Sequence, residues 1–333
     1  MTASFGPSNS GLAHAQDRSV SLPTRTLDAM DRVLACALGT LPGVTAELPE
    51  ESRRFVPDPA SFAAANQPQS WEGGAQIPPL LVIGGLGCAA RSDWSCFCEA
   101  TNQALEAPIY LHSLPGHDGN WDNLARSTPA DWQKLVLEKS TLVAKDHNQA
   151  PFVLLFSASA NAGLVALASL KPSELSKICR GLIIVSPVLG YRSAIHSLAG
   201  RVASSSLLRR PAAQHWHEMG VQVWPCPSCP AMIGEAPYAT AAFLPMRPVI
   251  GLNQTRSAAL DALLNLRLPI LVIQGSEDRW TSSAALARKL EAAGDPQKTH
   301  RKLDGAGHTC MLGQSRYQFE ALAQRWLRRK LAE

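Results

Sequence analysis

From Pro79 onward, short apolar runs alternate with longer segments of helical period. The runs are PLLVIGG (79–85), PIYLHS (108–113), PFVLLFS (151–157), GLIIVSP (181–187) and PILVIQG (269–275). A strand that is apolar at successive positions buries both faces, as strands of a parallel sheet covered by helices do. A more polar run, THRKLD (299–304), suits a sheet edge. The apolar spacing predicts helices over 131–146, 160–170, 282–293 and 315–331. The fold class expected is therefore α/β, a doubly wound and mostly parallel sheet. The alternation breaks between about 188 and 265, where small residues and prolines accumulate. That stretch reads as a cap insertion over the C-terminal edge of the sheet, the edge at which doubly wound sheets bind ligands.

Before Pro79 the pattern is weaker. Residues 1 to about 25 are rich in Ser, Gly, Pro and Thr, the composition of an extension without its own core. Leu27, Met30, Val33, Leu34 and Ala37 recur at helical spacing, and 48–78 carries several prolines and is expected to wrap the surface. The division expected is an N-terminal extension (1–76), a core formed by 77–187 and 266–333, and a cap (188–265). Gln149 to Leu170 is uncharged and long enough to suggest a membrane span. Pro151 and the small residues SASAN divide it instead into strand, turn and helix.

Composition narrows the function. Of 333 residues, 46% are hydrophobic, enough for a sizeable core, and 17% are charged. The latter is below the usual ~25% and excludes a disordered polyelectrolyte. The net charge is +4 with no long run of one sign, so no nucleic-acid partner is expected. The first residues, MTASFGPSNSGLAHAQDRS, hold no apolar signal core, so the expectation is a soluble cytoplasmic protein whose eight cysteines are reduced thiols. His215, His217, Cys226 and Cys229 have the residue types of a structural zinc site, but their spacing matches no common ligand pattern, and no metal is expected. There is no G-x-G-x-x-G and no Walker lysine, so no nucleotide cofactor is expected either.

The chemistry concentrates at three turns. In LLFSASANAGLVAL (154–167) a buried strand runs into a helix through small residues, with Ser159 at the apex. Such a turn can hold a nucleophile clear of the sheet, above the positive end of a helix. Ser157 and Asn161 stand two residues either side of Ser159, where the usual G-x-S-x-G has glycines. The plainer reading is a strand-to-helix turn without chemistry. Two further segments weigh against it. PILVIQGSEDRW places Asp278 just past a buried strand, and LDGAGHTCM places His308 in a Gly-flanked loop 30 residues later. The order Ser, Asp, His is one of the three in which a catalytic triad recurs. Glu277 and Asp278 compete for the acid's place, and on an extended strand exit only one can face His308. IGGLG (83–87) has the glycine-rich turn an oxyanion hole needs, with the backbone N–H groups of Leu86 and Ala160 as donors. Trp280 either lines an acyl pocket or belongs to the core.

From about residue 77 to its end, the chain resembles the α/β-hydrolase superfamily, and within it bacterial carboxylesterases and monoacylglycerol-lipase-like enzymes. IGGLG, LPGHDGNWDNLARSTPADW (114–132), SASAN, GSED and GAGH carry the likeness. It implies a serine hydrolase with Ser159 as nucleophile, His308 as base and Asp278, favoured over Glu277, as orienting acid. It also implies a structural turn for His117. The chain departs from the pattern at Gly84, where the family usually has histidine, at the elbow flanks Ser157 and Asn161, and in its N-terminal extension. The activity expected is hydrolysis of a small carboxylic ester with an apolar acyl group, through an acyl-enzyme and without a cofactor. A thioesterase or acyltransferase would need the same triad. A non-catalytic binding protein of the same fold would have no need to keep all three residues.

Overall fold

The order of the apolar runs sets the architecture. In the computed structural model, which describes residues 44–45, 59–190, 220–222, 243–278 and 281–333, each run becomes a strand, and helices lie between successive runs from PLLVIGG to GLIIVSP and between PILVIQG and THRKLD. In chain order the elements are β1 (Val44–Thr45), α1 (Pro59–Ala65), β2 (Gln69–Trp71), β3 (Leu80–Ile83), α2 (Ala90–Leu105), β4 (Ile109–His112), α3 (Trp121–Arg126) and α4 (Pro129–His147). They continue with β5 (Phe152–Phe156), α5 (Ala158–Ala168), α6 (Pro172–Ile178), β6 (Gly181–Val185), β7 (Gly220–Gln222), β8 (Phe243–Pro245) and α7 (Met246–Asn265). The last are β9 (Ile270–Gly275), α8 (Ser283–Ala293), β10 (Lys298–Leu303) and α9 (Arg316–Ala332).

Seven strands form one sheet in the order β10-β9-β6-β5-β3-β4-β2. All neighbours run parallel except β2, which pairs antiparallel with β4. Alternate residues of the apolar strands feed two separate cores, as the period of two requires. Leu81, Ile83, Val153, Leu155, Leu182 and Ile184 pack with α4, α5, α7 and α8, while Leu80, Val82, Phe152, Leu154, Phe156 and Ile183 pack with α2 and α9. The doubly wound expectation holds. Among the described residues no helix is long and apolar enough to cross a membrane; the uncharged stretch from Gln149 is β5, a turn and α5.

Two expectations change. Gln69–Trp71, expected to wrap the surface, instead extends the sheet as an edge strand; three residues are too few to print a period of two. Met246–Asn265, inside the stretch read as a cap, is a helix whose Ala259, Ala262 and Leu263 join the core beside α5. Val44–Thr45, from the N-terminal extension, pairs antiparallel with β7 in a separate three-stranded sheet.

The helix α5, ASANAGLVALA, is buried along nearly its whole length. It can lie so close to β5 because of Gly163: a Cβ there would sit 2.3 Å from Leu155 Cδ1. Gly163→Ala should therefore lower Tm, overpacking by about 1–3 kcal/mol, although alanine is the better helix former by about 1 kcal/mol. In a Leu155→Ala background the same change should raise Tm. Thermal melts of the four chains check the reversal.

Candidate active site

Three strand ends meet above the sheet. β5 ends at Phe156, and the next residue, Ser157, stands at φ 55° and ψ −110°, outside the regions a non-glycine residue normally occupies. Of the four non-glycine residues with positive φ among the described residues, Glu106 and Asn148 are left-handed helix C-caps, an ordinary use. The other two, Ser157 and Ser186, follow the ends of adjacent strands β5 and β6. Strain concentrated at one edge of a sheet marks a candidate site.

Ser157 is the serine that meets the histidine. Its Oγ lies 2.9 Å from His308 Nε2, and His308 Nδ1 lies 2.9 Å from Asp278 Oδ2. With the Nδ1–H tautomer, the imidazole donates to the carboxylate and accepts from the Ser157 hydroxyl. The expectation that Ser159 faces His308 is therefore corrected. Ser159 is fully buried, accepts from Phe156 N–H at 2.9 Å and lies 2.9 Å from the Ile83 carbonyl and 3.0 Å from that of Phe156. Its hydroxyl ties the ends of β3 and β5 together beneath the turn.

The displacement has a physical reason. Placing the elbow at Ser159 assumed that small residues must flank it on both sides. Around Ser157 the flanks are Leu155 and Ser159, and the room that Leu155 needs comes from Gly163, farther along the helix. Asn161 does not flank the elbow. Its side-chain amide accepts from Val188 N–H and donates to the Val188 carbonyl, both at 2.9 Å, tying α5 to the chain that leaves β6. The signal available in the sequence was the end of the apolar run PFVLLF: the elbow serine is the first residue after it. With the turn at Ser157, the N–H that follows it is that of Ala158 at the first position of α5, and not that of Ala160 as expected.

Asp278 is 1% exposed and well supplied with donors. Thr281 N–H reaches its Oδ1 at 3.2 Å, and Thr281 Oγ1–H reaches Oδ2 at 3.1 Å. Gln274 Nε2 in turn donates to Thr281 Oγ1. Glu277, its neighbour, is exposed. The loop bearing His308 crosses β9 so closely that a Cβ on Gly275 would fall 2.2 Å from the Ala306 carbonyl oxygen. Ser186, at φ 46°, donates from Oγ to the His308 carbonyl at 2.6 Å and so holds the histidine's backbone. The Phe156 ring lies 5.3 Å from the imidazole.

The turn after β3 lies beside the elbow. Gly85 is packed on Phe156: a Cβ there would come within 2.7 Å of its ring and 3.0 Å of its carbonyl. Leu86 follows, and among the described residues nothing accepts from its N–H. Trp280, His215, His217, Cys226 and Cys229 lie outside the described residues. Among those described, no three His, Cys, Asp or Glu side chains gather as a metal site.

Behind this turn, Asp93 is 3% exposed and accepts from Ala89 N–H at 3.1 Å through Oδ2, while Oδ1 meets no donor among the described residues. Burial pushes its carboxyl from 3.8 up to about 8. Between these values the unfolded chain has lost the proton and the folded chain keeps it, so stability falls as pH rises toward about 8. Asp93→Asn removes this titration. The fall in Tm between pH 5 and pH 9 should be smaller in the variant than in the wild type; parallel profiles would mean that Asp93 is ionised in the folded protein.

No family model matches the chain, and no curated protein matches it in sequence. Solved structures match in fold. A metagenome-derived lipolytic enzyme, from work on LipS and LipT, aligns with a TM-score of 0.61 at 14% identity over 80% of this chain and 98% of its own. A monoacylglycerol lipase from Paleococcus ferrophilus gives 0.57 at 15% identity over 79% and 98%. A monoglyceride lipase from Saccharomyces cerevisiae, solved with a substrate analogue, gives 0.61 at 12% identity over 79% and 91%.

Proposed function

The chain has the α/β-hydrolase fold, and from that premise we propose that it is a serine hydrolase of carboxylic esters in which Ser157 is the nucleophile, His308 the general base and Asp278 the orienting acid. The observation that carries this reading is the unbroken line Ser157 Oγ, His308 Nε2, His308 Nδ1, Asp278 Oδ2, with 2.9 Å at both contacts and Ser157 held at φ 55°. Lipolytic enzymes and monoglyceride lipases among the structural neighbours support an ester as the substrate.

Each residue's part follows from its contacts. Ser157 Oγ attacks the ester carbonyl carbon as its proton passes to His308 Nε2. Asp278, accepting from Nδ1–H, keeps the tautomer and stabilises the imidazolium that forms. The carbonyl oxygen, now carrying the negative charge, is received by the N–H groups of Leu86 and Ala158, with the positive end of α5 behind the latter. When the tetrahedral species collapses, the alkoxide leaves with the proton from Nε2 and the acyl group stays on Ser157. Water then repeats the sequence: His308 takes its proton, its oxygen bonds to the acyl carbon, and Ser157 leaves protonated. The acyl group proposed is apolar. Free thiols at Cys88, Cys96, Cys98 and Cys179 accord with a cytoplasmic location.

The two serines separate by experiment. Ser157→Ala should lose about four to six decades in kcat on a nitrophenyl ester, and a fluorophosphonate should label Ser157 by peptide mass mapping. Ser159→Ala should keep kcat within about tenfold while losing roughly 1–3 kcal/mol of stability from unsatisfied backbone groups. An inactive Ser159→Ala with an unchanged Tm would return the nucleophile to position 159.

The two carboxylates separate likewise. Asp278→Asn preserves shape but loses the charge on the histidine, and about three to four decades in kcat should go with it. Glu277→Gln should change kcat by less than about tenfold. Steady-state kinetics of both on one activated ester settles which carboxylate serves His308.

A further inference from the structure

We propose that His117 is a positioning residue that holds the turn Gly85–Gly87 with the Leu86 N–H presented to the developing oxyanion. The proposal rests on the reading of Ser157 as nucleophile given above. His117 is far from the triad in sequence. Its two ring nitrogens carry opposite duties. Nε2 accepts from Gly87 N–H at 2.8 Å, and Nδ1 donates to the Leu114 carbonyl at 2.9 Å. Only a neutral imidazole with its proton on Nδ1 can do both.

The turn is thus held on both sides of Leu86. On one side Gly85 is wedged against Phe156, the residue before the elbow. On the other, Gly87 at φ 78° aims its N–H at His117. Leu86 between them points its N–H at no acceptor among the described residues. An oxyanion donor is effective only when fixed before the charge appears, and a glycine-rich turn has no stiffness of its own. The stiffness comes from the other end of the clamp. His117 is 4% exposed, and burial keeps its imidazole neutral by pushing its pKa down to about 4. The preceding Gly116, at φ 86°, lies so close to α3 that a Cβ would fall 2.7 Å from Leu124 Cα. The turn after β4 is therefore seated on α3, and His117 transmits that seat to the turn after β3.

Two substitutions divide the ring's two duties. In His117→Asn the amide nitrogen takes the place of Nδ1 and can keep the Leu114 bond, while the acceptor for Gly87 is lost. In His117→Gln the amide oxygen takes the place of Nε2 and can keep the Gly87 bond, while the Leu114 bond is lost. Both are purified and melted, and then assayed on a nitrophenyl ester and with a trifluoromethyl ketone, whose serine adduct places an oxyanion in the hole. For Asn, the expected result is a fall of about tenfold to a hundredfold in kcat, below the full cost of losing a donor. KM should change little, and ketone affinity should fall by a similar factor. The pH midpoint of kcat/KM should stay at the wild-type value, because His308 and Asp278 are untouched. Gln should restore kcat to within about fivefold of wild type even if its Tm is the lower of the two. A purely structural histidine would move Tm in both variants without separating their kcat values.

An Asn variant within twofold of wild-type kcat, or a Gln variant as slow as Asn, overturns the proposal. If Asn does not fold, the Gln variant decides alone: near wild-type kcat and ketone affinity support the clamp, and a loss of both overturns it. Failure of the underlying reading looks different. Wild-type protein that is not labelled at Ser157 by a fluorophosphonate and does not hydrolyse the ester refutes the hydrolase itself.

Discussion

The backbone of Ser157 is held where a serine does not rest by itself. A φ of 55° with ψ of −110° costs of order 1–3 kcal/mol, so the surroundings must over-determine it. They do so with backbone and side-chain contacts on every side. Ser157 N–H donates to the Val185 carbonyl of the neighbouring strand at 2.9 Å, and Asn161 N–H closes the first helical bond on the Ser157 carbonyl at 3.2 Å. Ser159 links the ends of β3 and β5 below the turn. Gly163 lets α5 settle on Leu155. Remove the tight contact of α5 with β5 and the turn has room to relax into an ordinary helix entry.

The same constraint accounts for much of the chain that touches no substrate in the proposed mechanism. Parallel strands bring β3, β5, β6, β9 and β10 to a common edge, so that five separate loops converge there. Each loop is then fixed by a different device. The loop after β9 is held by Thr281 and Gln274 through Asp278, and the loop after β10 by Gly275 and by Ser186. The turn after β3 is wedged by Gly85 on Phe156. Phe156 is common to several of these contacts, lying between the Trp94 ring at 5.7 Å and the His308 ring at 5.3 Å.

Electrostatics at the site follow from the same economy of donors. A buried carboxylate is tolerable when hydrogen-bonded and costly when it is not. Asp278 receives N–H and O–H donors at both oxygens besides the histidine. Asp93, equally buried, is pushed by that burial up to about 8, with hydrogen bonds from Cys88 and Ala89 opposing the shift. Two aspartates of similar burial thus meet different sets of donors.

How much of this was legible in the sequence depends on how local the cause is. The apolar runs from PLLVIGG to PILVIQG determined the strands, because a strand covered by helices on both faces is apolar at nearly every position. PILVIQG and the more polar THRKLD placed Asp278 and His308 just past strands β9 and β10, and Asp278 rather than Glu277 meets the histidine because a strand exit presents only one of two neighbours. The edge strand Gln69–Trp71 was invisible, since its partner, β4, lies far along the chain and its own residues carry no pattern. So was the true elbow serine. SASAN offered two serines with small neighbours, and local chemistry cannot choose between them. The choice is made by Gly163, which frees Leu155 from having to be small, and by the reach of His308, which meets Ser157 across the sheet while Ser159 is spent on the ends of β3 and β5. The composition of the turn was a property of the sequence; which hydroxyl faces the imidazole was decided by how one helix packs on one strand.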